Sequence, residues 1–476
     1  MKITNYRPLT FITISLLLGV TVGGLVYNNN LFLIVVPIAL VAMGIFMSII
    51  FKRKIICFLI LFFVIGIVSF KIDNLINFSH FVDTQVSVEG KIYEKKGDYV
   101  ILDSLSFDDE SYKGRLIAPI YGLKNAKVGD NVKFYGKVAT NEVDIFDTYA
   151  MSRYNDKIFY EITNPKNIEI SDGEQTTIQK IRGRLTQSIL QNMPREEGGI
   201  AISLVFGDMN YITEYDNDVM RATGLSHIFS VSGLHVGFLV ALLIFLGKKL
   251  KIKAVIRLVV IAVLLSCYGL LTGFPSGVKR AAIMSLIYLL SVVLYRKNDP
   301  LNTLSLSVLV IVILNPKELF DISFIMSVAA ILGMVCFYRP IKRFLQGKSY
   351  NKARIYLASS VAATISANVF LLPVACNIFN SFAIYQLVSN LLMLPLVTFI
   401  YTALMPILIL SFIYPKIGVL NKVISYPITL LRVVTEAISR LPSATLNMNA
   451  MGVLTALYII IAIALSPFIK FNYKKV

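Results

Sequence analysis

Eleven stretches of this chain are apolar for long enough to cross about 30 Å of hydrocarbon as helices or to come close to it. They fall at 9–27, 31–51, 55–72, 224–247, 254–272, 279–295, 301–314, 319–338, 355–376, 382–413 and 451–469. A soluble fold could not cover so many, since its helices need a polar face toward water. Composition agrees: of 476 residues 56% are hydrophobic and 16% charged, and the mean hydropathy is +0.70. The predicted fold class is therefore a polytopic α-helical membrane protein. The first run has only Arg7 nearby and no small-residue cleavage site, and two more runs follow it, which predicts a retained anchor. Cys57, Cys267, Cys336 and Cys376 all lie in apolar runs and read as small buried hydrophobes.

Orientation follows from where lysine and arginine collect. Lys2 and Arg7 precede the first run, and Lys52, Arg53 and Lys54 follow the second. Lys248, Lys249, Lys251 and Lys253 follow the fourth, Arg296 and Lys297 the sixth, and the basic connector Tyr338–Arg354 the eighth. The alternate connectors 28–30 and 377–381 carry no charge. The N-terminus is thus expected in the cytoplasm, with Lys279, Arg280 and Lys317 as exceptions on the outer side.

Four regions result. Residues 1–72 hold the first spans, and residues 73–180 form a large soluble insert that the span count places outside the cytoplasm. Residues 181–222 are a linker, and 223–476 a second membrane domain. The insert alternates short β-rich segments with Gly and Asp turns, such as "VGDNVKFYGKV" and "KIFYEI", predicting a small barrel of OB type. Between 80 and 175 there are 12 Lys and Arg against 17 Asp and Glu. The chain's net +18 therefore resides in the membrane part, where it reports topology and not nucleic-acid capture. Lys91, Lys95, Lys96 and Lys113 beside Tyr93, Tyr99 or Tyr112 could hold a nucleic-acid backbone. A solvated barrel surface explains them as well. In the linker, a basic amphipathic helix to Met193, a proline break and a second short helix ending at Gly207–Asp208 are expected to lie along the outer interface.

The segment Gly224–Gly247, "GLSHIFSVSGLHVGFLVALLIFLG", places His227, Ser230, Ser232 and His235 where lipid would be expected. As one helix it would align Ala222, Ser226, Ser230, Gly233, Gly237 and Ala241 in a small-residue stripe. Such a stripe serves either close helix packing or a polar path. Arg280 and Asp321 open later apolar runs, and Asp208 stands just ahead of the motif. Catalysis is not expected. The three histidines, His80, His227 and His235, form no metal-binding pattern. Ser232 and His235 lack an evident oriented base and oxyanion site. No cofactor and no metal are predicted.

These residues resemble the ComEC competence family, membrane channels through which transforming bacteria import single-stranded DNA. The likeness rests on "GLSHIFSVSGLHVG", on "AISLVFGDMNYI" before it, and on "GFPSGVKRAAIM", "NPKELFDISFIMSVAAILGM" and "FAIYQLVSNLLMLPLV" after it, in the family's order. The insert, with "DIFDTYAMSRYNDKIFYEI", is similar to the family's OB-like loop. The resemblance implies a channel in the cell membrane with single-stranded DNA as cargo. It also implies DNA receptor or pilus proteins, a cytoplasmic ATPase and a separate nuclease as partners. It lifts Arg280 and Asp321 as channel candidates. Fuller members carry a metallo-β-lactamase-like domain, whose signature is not found here, and the loop cysteine pair of some members is missing too. A secondary transporter or permease for a small or lipid-like substrate is the alternative, and an envelope scaffold a third reading. The run 382–413, with Pro395 and Pro406, is expected as one broken helix or two half-helices. In the second case the amphipathic stretch after Gly418 would lie outside.

Overall fold

The computed structural model describes residues 8–25, 54–77, 84–123, 126–140, 148–229, 233–296, 299–347, 351–379 and 381–447. The runs expected at 31–51 and 451–469, His80, and the candidates Ser230 and Ser232 lie outside these residues.

In chain order the elements are helices α1 (Pro8–Leu25) and α2 (Lys54–Asn77), then strands β1 (Thr84–Lys96), β2 (Tyr99–Phe107), β3 (Glu110–Tyr112), β4 (Arg115–Pro119) and β5 (Asn131–Thr140). Helix α3 (Thr148–Asn155) precedes β6 (Ile158–Ile162) and β7 (Lys166–Ser171). Helices α4 (Thr177–Asn192), α5 (Arg195–Phe206), α6 (Glu214–Ala222), α7 (Ser226–Phe229), α8 (Gly233–Lys249), α9 (Ala254–Thr272) and α10 (Ser276–Val293) follow. Next come α11 (Pro300–Leu314), α12 (Ile322–Gln346), α13 (Lys352–Phe379), β8 (Ser381–Ala383), α14 (Gln386–Ile413), α15 (Asn421–Ser439) and β9 (Thr445–Asn447). The chain divides into two compact units, residues 1–181 with 294–325, and residues 182–293 with 326–476.

Among the described residues seven helices are long and apolar enough to cross a membrane: Pro8–Leu25, Ala254–Thr272, Ser276–Val293, Ile322–Gln346, Lys352–Cys376, Gln386–Ile413 and Pro415–Ser439. The first six coincide with expected runs. Phe58–Phe70 within α2 and Pro300–Leu314 are apolar but shorter. The seventh was not anticipated, because its charges and amphipathic pattern disguise it.

In the first unit β1, β2, β4, β6 and β5 close into a five-stranded barrel, since β1 pairs with both β2 and β5 and β4 runs parallel to β6. The period-two pattern predicted in sequence sets which side faces the interior: along β5, residues alternate strictly between exposed and buried over Asn131–Val138. Register shifts between Glu89 and Lys91 and between Ile92 and Glu94 bend β1 so that its two ends serve different neighbours. Phe107 and Tyr160 meet edge to face inside, with centroids 5.0 Å apart. In the same unit, α1 and α2 approach closely through Gly19, Gly23 and Gly66. A Cβ on Gly23 would stand 2.9 Å from the Ile67 carbonyl oxygen.

One joint ties the barrel to the helices of its own unit. Asn315 Nδ2 donates to Asn155 Oδ1 at 3.0 Å. The fully buried Lys317 ammonium lies 3.4 Å from the Tyr154 ring centroid and 5.7 Å from that of Phe70. The "NPKELFD" turn thus receives the end of α3.

In the second unit, 382–413 forms neither half-helices nor a break: α14 is one helix with Pro395 and Pro406 inside it. Nor does the following segment leave it. Helix α15 runs back antiparallel, and β9 pairs with β8 beside the start of α14. Tyr385 donates to the Pro442 carbonyl at 3.0 Å, and Ile384 N–H to Ala444. A turn at Pro415–Leu420 closes the other end.

Candidate functional site

The motif does not continue the helix that precedes it. Helix α6 ends at Ala222, and Gly224 takes a left-handed conformation with φ 74°. Helical structure resumes in α7 at Ser226 and is described again in α8 from Gly233. Gly224 is required twice, because a Cβ there would also stand 2.8 Å from Gln386 Cγ. The stripe drawn from Ala222 to Ala241 therefore does not exist as one helix face. What remains of it, Gly233, Gly237 and Ala241, is exposed, and a Cβ on Gly237 would meet nothing within 4 Å. The opposite face of α8, with His235, Val236, Leu239 and Val240, is the buried one.

This arrangement carries the chain deep into the unit. Gly224 packs at the start of α14, whereas the His235 ring lies 4.9 Å from that of Tyr401. Between Gln386 and Tyr401 a helix rises about 22 Å. The motif thus descends along α14 to its middle, where His235 is 0% and Tyr401 1% exposed. Tyr268 of α9, also buried, is close enough to Tyr401 for electrostatic interaction, and its hydroxyl donates to the Val205 carbonyl of α5 at 2.9 Å. A histidine and two tyrosines from three apolar helices meet there. Arg280 on α10 is 5% exposed. Ser389 and Asn390 are buried on α14.

Other candidates take structural places. His227 is exposed, and its Nδ1 lies 3.1 Å from the Gly224 carbonyl. Asp208 caps the turn Met209–Tyr211, accepts from Asn210 N–H at 3.1 Å, and pairs with Arg182 at 2.8 Å. Asp321 caps α12, its Oδ1 accepting from Phe324 N–H at 2.9 Å. It lies in the first unit and Arg280 in the second.

On the barrel, Lys91 donates to the Glu174 carbonyl. Lys96 stands 3.5 Å from Glu94. Burial pulls the Lys96 ammonium down, yet Glu94 and Asp156 outweigh it and hold its pKa above the ordinary lysine value. Burial lowers that of Lys95, with Asp130 opposing. Tyr99 is exposed, and the Tyr93 ring carries the Arg115 guanidinium at 3.7 Å. A phosphate strand on this face would have to compete with Glu94 for Lys96 and with a carbonyl for Lys91.

Sequence reasoning missed Tyr268 and Tyr401, whose only signal is a phenol inside an apolar run. It also missed Arg432, which reaches Glu197 at 3.5 Å and Asp216 at 3.1 Å and also pairs with Glu196. Among the described residues no group of three or more His, Cys, Asp or Glu could hold a metal ion.

Fold and site together define a multi-pass membrane protein that carries a closed β-barrel and a polar cluster deep among apolar helices. Residues 204–471 match the family described as Competence protein, and the chain belongs to that family. ComE operon protein 3 of Bacillus subtilis (strain 168) is 26% identical over 240 residues, 50% of this chain and 30% of that protein. Recombination protein 2 of Haemophilus influenzae is 22% identical over 217 residues, 43% of this chain and 27% of that protein. The matched stretches thus span less than a third of either relative. No solved structure matches.

Proposed function

We propose that this protein passes single-stranded DNA across the cell membrane during competence, as a channel. The observation that carries the reading is the descent of the family's motif to His235, buried beside Tyr401 in the middle of α14. An imidazole and phenols in hydrocarbon are unfavourable unless they face protein or water, and they mark transport paths in membrane proteins. A separate nuclease, DNA receptor or pilus proteins and a cytoplasmic ATPase are then the partners.

The N-terminus is cytoplasmic and the barrel extracytoplasmic in this reading. Basic loops support it, and the barrel joint is compatible with the span count on which it rests. Counting spans puts 148–155 and 315–321 on one side of the membrane, as the Asn155–Asn315 hydrogen bond requires. Deleting the protein should abolish entry of labelled DNA into a nuclease-protected interior while leaving surface binding intact. Undiminished entry would refute the channel. Loss of a small solute's uptake with normal DNA entry would favour a permease.

A further inference from the structure

The linker was expected to lie flat along the outer interface, yet its contacts run along the length of α15. At the first turn of α15, Asn421 Nδ2 donates to the Ser188 carbonyl at 3.4 Å. A Cβ on Gly418 would stand 2.7 Å from Ser188 Oγ and 3.3 Å from Asn192 Nδ2. Further along, Thr429 donates to Glu197 at 3.0 Å, and Arg432 Nε to Asp216 at 3.1 Å. Nearest the β8–β9 end, Tyr215 donates to Glu436 at 2.6 Å. From Asn421 to Glu436 a helix rises about 22 Å. Since α15 lies antiparallel to the apolar α14 and is tied to it at both ends, this rise is depth in the membrane.

We propose that residues 182–206 are a re-entrant element whose tip, near Gln191–Arg195, reaches the membrane face opposite β8–β9, and whose exposed side forms a wall of the strand path. Chemistry supports the wall. On α4, Leu185 and Ile189 are buried, whereas Arg184, Gln187 and Gln191 are exposed. The exposed face of α15 is instead apolar, through Val423, Tyr426, Leu430 and Val433. An arginine and glutamines cannot share that lipid-facing role, so they look onto water. Arg184 supplies the charge that meets phosphate.

The wall assignment rests on the channel reading, and the naming of sides rests on its orientation; the re-entrant fold rests on neither. The single substitutions Gln191→Cys and Thr445→Cys, each in a cysteine-free background, would be treated with impermeant maleimide in right-side-out and inside-out vesicles. The thiol at position 191 should react only in inside-out vesicles and the thiol at position 445 only in right-side-out ones. Exchanged sides would overturn the orientation and uphold the re-entrant fold. Reaction of both from one side, or no reaction at position 191 from either, would overturn the re-entrant fold. Arg184→Gln should lower DNA entry at unchanged membrane abundance, and Arg184→Lys should restore much of it. Normal entry with Gln, in cells where deletion abolishes entry, would remove α4 from the path without touching the channel reading.

Discussion

The barrel and the membrane-embedded second unit obey different rules of burial. Along β5 of the barrel, water lies on one side of the strand, so exposure alternates residue by residue and the sequence pattern shows it. Around α8 and α14 both faces are apolar, and burial is decided by which neighbour arrives. His235 is fully buried, while a Cβ on Gly237, two positions on, would meet open space. A solvent that discriminates between faces writes itself into sequence; a hydrocarbon solvent does not.

Substitutions can break or sharpen this contrast. The largest effect is expected from Gly19→Leu, whose side chain would enter the backbone of α2 at Phe63. No rotamer relieves a backbone clash. The variant should fail to accumulate as folded protein in the membrane, as read by size-exclusion profile in detergent. Next, Tyr160→Ala empties a fully buried barrel site and should lose about 3–5 kcal/mol of barrel stability. Hydrogen exchange should rise across β1–β6 and leave α8 and α14 protected; a rise in both units would mean that they unfold together. A smaller effect is expected of Tyr268→Phe, which leaves the Val205 carbonyl without its phenol donor, by about 1–2 kcal/mol in thermal unfolding. It should lower DNA entry only if the aromatic cluster borders the path.

The smallest effect tests electrostatics in the water-facing barrel. Burial raises the pKa of Asp103 above the usual carboxylate value, against the lowering by Arg115, Ser104 and Lys91. The folded state therefore holds this proton more tightly than the unfolded one. Its favourable contribution is complete below the unfolded pKa and fades as pH rises through the folded one. Asp103→Asn should stabilise the barrel slightly at neutral pH and flatten that part of its pH profile.

What was legible follows the same division. Alternation in "VGDNVKFYGKV" was enough to place β5, and apolar length was enough for six of the membrane helices. The break at Gly224 was not legible, because an apolar run with scattered serines satisfies a helix equally well until Gln386 is known to press on it. Helix α15 was not read as a span for a related reason: its pattern is amphipathic, and the partner of Arg432, Asp216, lies more than 200 residues away in sequence. Asp321 was singled out as a channel candidate, and in the structure its Oδ1 caps the start of α12. Long-range partners carry the site, and a sequence pattern read in local windows does not contain them.

The mount that joins Asn155 to Asn315 has a consequence for synthesis. The two residues are 160 positions apart. At ribosomal rates of about 5–20 residues per second, the second half of the mount is made roughly 8–30 s after the first. Throughout that interval the barrel must fold as a tethered body, held by α2 and by its own closure between β1 and β5. Its self-sufficiency, with every strand paired before the mount exists, is what makes such an order of assembly feasible.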